Sequence, residues 1–479
     1  MSEASPVIVW FRQDLRLADN PALDAAVAMN APILPVYILD DTNAERYAAG
    51  AASRWWLHQS LSALNDSLKG ALRFLRGDAA TLLPKLAEDS NAAAVFWNRC
   101  YEPWRIQRDK LIKASLLKAD RLVRSFNGSL LFEPPHVTKK DGTPYRVFTP
   151  FYKKGCLERG PAPRTTINAP VGIDVLRSHN ATQLGDLKLM PKIRWYDEMA
   201  ALWRPGEHGA RERVDAFLDA HVGAYSETRN RPDLEGVSRL SPHFHFGEVS
   251  PHHVWHSAKK LEAAGVDVEP FLRQLIWREF SYYLLYYWPD LPTTNLQRRF
   301  DRFPWQPDDA LLQAWREGRT GYPIVDAGMR ELWRTGYMHN RVRMIVGSFL
   351  VKNLLQDWRH GERWFWDTLL DADLANNSAS WQWVAGSGAD AAPYFRIFNP
   401  VTQGRKFDPD GAYVSQYLPE LASVPSSHIH APWEAPDDLL RAAGVTLGEN
   451  YPDPIVDLKA SRSRALEAYG RLTSGTAES

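Results

Sequence analysis

Cysteine is nearly absent from this 479-residue chain, which contains only Cys100 and Cys156. Two cysteines cannot form a disulfide framework, and they exclude a zinc or iron–sulfur site with four cysteine ligands. The chain opens without a secretory signal and contains no apolar run long enough to span a bilayer. With 44% hydrophobic and 24% charged residues, it has the composition of a globular protein. We therefore expect a soluble protein of a reducing, cytoplasmic compartment.

An excess of charge of one sign is also missing, because 57 basic residues balance 57 acidic ones. This balance argues against a protein that coats an extended polyanion, but it is compatible with a local basic patch. Residues 330–363 contain seven Lys or Arg against three acids. A solvated helix face would explain such a run, but the Asn, Trp and Met residues between the charges favour a surface that faces phosphate groups.

The sequence lacks both a G-x-G-x-x-G fingerprint and a P-loop, which argues against ordinary dinucleotide or nucleoside triphosphate binding. The N-terminal third instead alternates helical patterns, such as residues 52–68, with short apolar runs. The apolar runs cover residues 7–11, 33–39, 71–75, 93–97 and 122–126. This alternation predicts a doubly wound, Rossmann-like α/β domain over residues 1–130, with a parallel sheet covered by helices on both faces.

The rest of the chain shows no such alternation. Residues 131–200 are rich in Pro, Lys and Gly, and we interpret them as an ordered interdomain linker with short helices. Helical periodicity then covers residues 209–222, 251–264, 269–287, 308–317, 323–335, 338–356 and 361–370. Residues 201–479 are therefore predicted to form an all-α domain.

The stretch from Trp277 to Trp383 has an unusual composition for a helical core, since it mixes Trp, Arg, Asn and paired Asp residues. A core built only for stability would contain mostly aliphatic residues and Phe. Because each buried polar group needs a partner, we expect a flat, polar-edged and negatively charged ligand here. Ser238 and Ser241, on either side of Arg239, suit a helix cap, and they equally suit a phosphate cradle.

Two groups of residues raise the question of a metal. His252 and His256 are one helical turn apart, but no acidic or cysteine ligand completes a set with them. Asp371 and Asp373 could serve as metal carboxylates, yet Arg341 and Arg343 favour ion pairing or hydrogen bonding to a ligand. We predict no metal site.

Seven motifs follow one another along the chain, each weak alone but specific in this order and spacing. They are WFRQDLR at 10–16, SRLS at 238–241, WREF at 277–280, GRTGYP at 318–323, MHNR at 338–341, WQW at 381–383 and YFRIFNP at 394–400. On these motifs the chain resembles the photolyase/cryptochrome flavoproteins over nearly its whole length, and most closely the class I cyclobutane pyrimidine dimer photolyases.

The resemblance implies non-covalent FAD in the helical domain. The positions that match flavin contacts of the family are Tyr225, Val237, Ser238, Arg239, Leu240, Ser241, Phe271, Arg278, Arg343, Asp371, Asp373 and Asn377. Among these, Asn377 is expected near flavin N5, and Arg343 is expected to pair with Asp371 beside the ring. The resemblance further implies that Trp381, Trp358 and Trp305 relay electrons from the flavin to the surface. Without it, we would interpret these three tryptophans as packing residues.

The implied activity is the light-driven repair of cyclobutane pyrimidine dimers in DNA, by electron transfer from reduced FAD to a lesion flipped out of the duplex. The enzyme would be a deoxyribodipyrimidine photo-lyase. The positions assigned to the lesion or to DNA are Arg229, Gln274, Trp277, Asn340, Arg341, Met344, Trp383, Arg396, Gln403 and Lys406.

Gln274 departs from the class I pattern, which has Glu three residues before the lesion-facing Trp. An amide can hydrogen-bond a lesion but is a poor proton donor, and Gln at this place is typical of (6-4) photolyases and animal cryptochromes. Those (6-4) enzymes have a His-His pair where this chain has His339 and Asn340. The missing second His favours a cyclobutane substrate and leaves the (6-4) photolyase as an alternative.

Folate-binding relatives have Glu where this chain has Arg105, and a Cys-Lys pair near Thr293 and Thr294. A folate antenna is therefore disfavoured, and a deazaflavin, a flavin or no antenna is expected. A blue-light cryptochrome is the alternative from another functional class. Cryptochromes commonly add a long C-terminal tail, whereas only a helical pattern at 458–472 follows the motifs here. A flavin oxidoreductase lacks the nicotinamide fingerprint. The near-neutral composition is compatible with a monomer.

Overall fold

The structure is a computed structural model that describes residues 5–177, 182–391 and 395–474. Tyr394 of the YFRIFNP motif lies outside the described residues. The chain divides into two compact units, each assembled from separate segments. The first unit comprises residues 1–223, 238–289 and 370–375, and the second comprises residues 224–237, 290–369 and 376–479. The division into three domains at residues 130 and 200 stays a prediction.

A five-stranded parallel sheet forms the centre of the N-terminal region. Its strands are β1 (Val7–Phe11), β2 (Ile33–Leu39), β3 (Arg73–Arg76), β4 (Ala94–Asn98) and β5 (Leu122–Phe126), in the order β3-β2-β1-β4-β5. β1, β2 and β4 are buried along their whole length. Continuous apolar runs are required there because helices cover both faces of a parallel sheet. The predicted α/β fold is confirmed.

Helices of the first half of the chain flank the sheet or follow it. They are α1 (Pro21–Val27), α2 (Asp41–Ala44), α3 (Ala51–Ser67), α4 (Ala79–Asp89), α5 (Pro103–Lys118), α6 (Phe148–Pro150), α7 (Asp197–Leu202), α8 (Glu207–Ala220), α9 (Tyr225–Thr228) and α10 (Ser241–His245). A π-helix at Phe151–Arg159 and short 3-10 helices, such as Leu184–Leu187, lie in the region predicted as a linker with short helices.

The remaining described chain is helical, as predicted. Its helices are α11 (Pro251–Ala263), α12 (Glu269–Tyr287), α13 (Asp309–Arg316), α14 (Pro323–Thr335), α15 (Asn340–Ser348), α16 (Trp358–Thr368), α17 (Leu374–Ala385), α18 (Pro400–Phe407), α19 (Ala412–Tyr417), α20 (Asp437–Ala442) and α21 (Leu458–Ser474). The prediction of one continuous helix over residues 338–356 is wrong in one respect. Helix α15 ends at Ser348, and a π-helix follows at Phe349–Asn353. Among the described residues, no helix is both long and apolar enough to cross a membrane.

Candidate functional site

Helix α12 carries the WREF motif, and its polar residues are held by neighbours within the first unit. Arg278 Nη1 donates a hydrogen bond to the Ser129 carbonyl at 2.9 Å and lies 3.1 Å from Glu279 Oε1. The Arg278 guanidinium also lies 4.8 Å from the ring centroid of Tyr282. Glu279 is buried and accepts a hydrogen bond from the Phe132 backbone N–H at 3.0 Å. Arg278 and Glu279 therefore tie α12 to residues 129–132.

Asp373 is a buried carboxylate whose neighbours lower its pKa. Burial alone would raise its pKa, but the nearby His245, the Tyr282 hydroxyl and the charge of Arg278 together lower it to about 2. The Tyr282 hydroxyl donates directly to Asp373, and His245 Nδ1 lies 3.8 Å from Asp373 Oδ2. A carboxylate that stays ionised in a buried aromatic setting is suited to accept hydrogen bonds from a polar ring or a sugar.

The segment before α10 has an uncommon backbone conformation. Arg239 adopts a left-handed conformation, with φ of 51°, which residues with a Cβ rarely adopt. Leu240, rather than Ser241, precedes the first helical residue and gives no side-chain cap. Ser238 and Arg239 are half-buried, and Ser241 is exposed. Hydroxyl and guanidinium donors around an uncapped helix start match the chemistry of a phosphate ligand.

Other residues assigned to FAD have contacts within their own units. Phe271 is buried against Phe217 at 4.7 Å, and the buried Tyr225 has the Arg229 guanidinium 5.8 Å from its ring. In the second unit, Asn377 Nδ2 donates to the Glu362 carbonyl at 3.0 Å.

Val237 is half-buried, and Asp371 is buried. Arg343 Nε donates to the Met338 carbonyl at 2.7 Å. Arg343 belongs to the second unit and Asp371 to the first, so the ion pair expected between them stays a prediction.

The three tryptophans assigned to electron transfer all belong to the second unit. Trp381 and Trp358 are buried, whereas Trp305 is half-buried. The Trp358 indole N–H donates to Asn295 Oδ1 at 3.0 Å, and Trp381 packs edge-on against Phe365 at 4.9 Å. Trp305 is therefore the least buried of the three, and the order of electron transfer among them stays a prediction.

A basic cluster, defined by Arg229, Arg341 and Lys406, lies in the second unit, where Arg341 and Lys406 lie against the Phe407 ring and Arg229 lies near Arg341. Arg341 donates to Asn230 Oδ1 at 2.7 and 3.2 Å, and its guanidinium lies 4.3 Å from the Phe407 ring centroid. Lys406 Nζ lies 5.4 Å from the same centroid. Burial and the nearby positive charge of Arg229 lower the pKa of Arg341. The two guanidiniums therefore repel each other, and a phosphate anion would relieve that repulsion.

The other residues assigned to DNA differ in exposure. Asn340 and Arg396 are exposed, and Met344 and Gln403 are half-buried. Trp383 is half-buried and donates its indole N–H to the Asp390 carbonyl at 3.2 Å.

In the first unit, the half-buried Trp277 lies parallel to Phe148, with ring centroids 3.6 Å apart. Gln274 Nε2 makes one long hydrogen bond, of 3.4 Å, to the Pro270 carbonyl.

The residues that follow β1 and β2 are charged, and they pair with residues of α5. Arg12 pairs with Asp109, and Arg108 pairs with Asp40 at 3.1 Å. Both guanidiniums also lie over the Trp10 ring, at 4.6 and 4.7 Å. Although burial opposes it, the charges of Arg12 and Arg108 hold the pKa of Asp109 below its usual value. These charged residues are therefore engaged in contacts within the first unit.

The histidines considered for a metal contact backbone carbonyls instead. His252 Nε2 lies 3.1 Å from the Leu130 carbonyl oxygen, and His256 Nε2 lies 2.8 Å from that of Arg164. Across the described ranges, no group of three or more His, Cys, Asp or Glu side chains could hold a metal ion.

Two family models match the chain: residues 7–168 match DNA photolyase, and residues 271–471 match the FAD binding domain of DNA photolyase. The deoxyribodipyrimidine photo-lyase of Agrobacterium fabrum is 48% identical over 481 residues, which cover 99% of each chain. The chain belongs to the photolyase/cryptochrome family. Within this family, cryptochrome-1 of Arabidopsis thaliana is 38% identical over 97% of this chain and 70% of its own length.

A solved structure supports the same conclusion for the fold. The bacterial class III photolyase from Agrobacterium tumefaciens superimposes with a TM-score of 0.94 and 47% identity, covering 99% of both chains. The predictions of the photolyase family, of its fold and of a photolyase-type enzyme with a FAD-binding domain are confirmed. The class I assignment within the family and the roles of single residues stay predictions.

Sequence reasoning missed several residues that hold the predicted ones in place. Phe148 lies against Trp277, Asn295 accepts from Trp358, and Gly361 makes room for the Trp381 ring. The first two contacts join residues far apart in sequence, and the third depends on the absence of a side chain. Composition and periodicity predict neither kind of contact.

Proposed function

We propose that this protein repairs cyclobutane pyrimidine dimers in DNA with light, using FAD. The observation that carries the proposal is the basic cluster. In it, Arg341 contacts the Asn230 amide and the Phe407 ring and lies near Arg229. Arginine side chains arranged in this way suit the phosphates of DNA, which position a duplex without reading its sequence. The exposed Lys406 adds a third positive charge to the same surface.

The residues assigned to FAD fit the group by their chemistry. Donors at Ser238, Arg239 and Ser241 would hold the phosphates, and the ionised Asp373 would accept hydrogen bonds from hydroxyl or N–H groups. The positive charge of Arg278 would stabilise the ionised Asp373 and a negatively charged ligand beside it. When bound and reduced, FAD supplies the electron that light transfers to the lesion and that returns after the ring has split, so the reaction has no net redox change.

The remaining roles belong to side chains of the chain itself. Trp277 would stack on the extruded pyrimidines, and aromatic stacking of ~1–3 kcal/mol per base would offset part of the cost of flipping. Asn340, exposed at the start of α15, would hydrogen-bond the lesion. Gln274 would orient it by hydrogen bonds, but its amide cannot act as an acid. Trp305, Trp358 and Trp381 would relay electrons from an external reductant to the flavin before repair.

A cryptochrome photoreceptor is the second candidate, because cryptochrome-1 of Arabidopsis thaliana is 38% identical over nearly all of this chain. It would use the same flavin residues and tryptophans but would not restore DNA. A (6-4) photolyase would restore DNA with a different lesion. A monomeric state and a second chromophore stay predictions under each of these alternatives.

The experiment that tests the proposal uses the purified protein with its FAD reduced beforehand. Matched oligonucleotides carry one cyclobutane thymine dimer or one (6-4) product, and each is kept in the dark or under blue light. We expect light-dependent restoration of the cyclobutane substrate alone. Restoration of only the (6-4) product would assign the other lesion, and no restoration with FAD present and reduced would favour the photoreceptor.

A further inference from the structure

The parallel contact between Trp277 and Phe148 is unusually close for two aromatic side chains. Their ring centroids are 3.6 Å apart and their planes differ by 4°. Most aromatic pairs in proteins meet at centroid separations of roughly 4.5–7 Å, offset or edge-on. Phe148 is completely buried, whereas Trp277 is half-buried, so the indole has one face on a fixed ring and part of its surface towards solvent.

Phe148 is held on several sides within the first unit. Phe280 meets its ring edge-on at 5.8 Å, and Tyr152 lies at 5.8 Å with nearly parallel planes. The Arg273 guanidinium lies 5.5 Å from the Phe148 centroid. These contacts surround a side chain in the three-residue helix α6, far from α12 in sequence. The ring that supports Trp277 is therefore itself immobilised by packing.

A supported indole is better prepared to stack than a rotating one. An unsupported Trp side chain explores several rotamers, and fixing it upon binding reduces affinity. A parallel ring at van der Waals distance removes most of these alternatives before the ligand arrives. Phe280 also meets the Trp277 indole edge-on, at 6.0 Å, which restricts its position along α12.

We propose that Phe148 is a positioning residue that fixes the plane of Trp277 for stacking against a base extruded from DNA. The proposal deepens the repair function and rests on it. Phe148 is completely buried and would act on the lesion only through Trp277. The favoured ligand is therefore the two linked pyrimidines extruded from the duplex, because a fixed indole plane aids stacking on a ring but adds nothing to contacts with phosphates.

The test replaces Phe148 with Leu, which keeps an apolar side chain but removes the plane, and with Tyr, which keeps the plane. Affinity is measured by fluorescence anisotropy with labelled duplexes, with or without one cyclobutane thymine dimer. We expect Phe148→Leu to weaken binding of damaged DNA by roughly 2- to 10-fold and to leave intact DNA unchanged. Phe148→Tyr should retain wild-type discrimination. If Phe148→Leu does not fold, Phe148→Met, which also lacks a ring, takes its place.

A double-mutant comparison separates positioning from general structural damage. In a Trp277→Ala background, Phe148→Leu should cause no further loss of affinity, because its effect passes through Trp277. FAD content and thermal midpoint are recorded for each variant. Phe126→Leu removes one ring of a different aromatic pair of the sheet, Phe96 and Phe126, and should not change DNA binding.

Two failures are distinguishable. A wild-type protein that binds damaged and intact DNA equally would contradict the repair function itself, and the positioning role with it. A wild-type protein that discriminates, combined with a Phe148→Leu variant of equal discrimination, would overturn the positioning role alone. An additive loss in the Trp277→Ala background would also overturn it, since Phe148 would then act on binding by another route.

Discussion

The ring of Trp381 lies so close to Gly361 that a Cβ atom at Gly361 would stand 2.1 Å from Trp381 Cη2. No side chain fits at a position where a carbon atom would overlap the indole by more than an ångström. Gly361 belongs to α16, whose helical backbone does not itself require glycine. Its role is therefore to admit the indole, and the placement of a proposed electron carrier depends on the absence of a side chain.

We predict that Gly361→Ala destabilises the protein by about 1–3 kcal/mol, because the extra methyl group must push the indole or the helix away. The thermal midpoint measures this loss. Gly470→Ala in α21 is the matched control, since a Cβ there meets nothing within 4 Å. The Gly470→Ala variant should have an unchanged or slightly higher thermal midpoint, because alanine has a higher helix propensity than glycine. Equal midpoints for the wild type and Gly361→Ala would contradict the close approach.

Trp381→Phe should slow the photoreduction of oxidised FAD strongly and leave repair by pre-reduced protein largely intact. The reason is that indole is oxidised far more easily than benzene, while Phe preserves much of the packing. Flavin absorbance under blue light with an external reductant measures the rate. Trp315→Phe is the control, because Trp315 is also buried and packs edge-on against Trp381 at 6.2 Å. If Trp381→Phe photoreduces like the wild type, the assigned relay is wrong.

Arg341→Ala should weaken binding of damaged and intact DNA by similar factors, because a phosphate contact carries no information about the lesion. The dependence of log affinity on log salt concentration should become shallower by about one unit. Anisotropy titrations at several salt concentrations measure both quantities. Arg194→Ala, which removes an exposed arginine paired with Asp197 at 3.1 Å, serves as the control. An unchanged salt dependence would remove Arg341 from the DNA surface.

We expect the stability of the protein to depend on pH through Glu279. Burial raises its pKa from an ordinary 4.5 to about 7, although Arg278 and backbone N–H groups oppose this shift. Because the folded protein holds the proton up to a higher pH than the unfolded chain, this carboxyl's favourable contribution is present below about pH 4.5 and is lost as pH rises towards 7. The loss amounts to roughly 3 kcal/mol.

Glu279→Gln keeps an oxygen that can accept from the Phe132 N–H but cannot ionise. We expect the variant to lose this part of the pH dependence, so that its stability relative to the wild type improves between pH 5 and pH 8. Urea unfolding at both pH values measures it. Glu262→Gln, at an exposed glutamate, should leave the dependence unchanged. Parallel curves for Glu279→Gln and the wild type would show that Glu279 is already ionised at pH 5.

The strands could be predicted closely because buried parallel strands are continuous apolar runs. Four of them begin and end within one residue of the prediction, whereas β3 was placed too early because Ala71 and Leu72 are buried before pairing begins at Arg73. The π-helix after Ser348 left no trace in the sequence. One widened turn preserves the mean spacing of apolar residues, so periodicity cannot distinguish it from an α-helix.

The residues of the candidate site likewise fall into those that the sequence could reveal and those that it could not. The WREF motif contains Trp277 and Arg278, and the family resemblance led to Asp373. Phe148 and Gly361 could not be found, because an aromatic in a linker and a glycine in a helix have many ordinary explanations. The left-handed Arg239 was equally hidden, since no local sequence preference requires that conformation of arginine.

In the proposed repair, light moves an electron from the flavin to the lesion and the electron then returns, so the protein would act as a catalyst without a net consumption of reductant. The most direct measurement counts the dimers restored per molecule of pre-reduced protein under blue light, in anaerobic buffer with no reductant added. We predict many dimers restored per protein, with the flavin still reduced at the end. At most one dimer restored per flavin, with the flavin oxidised in proportion, would contradict the account.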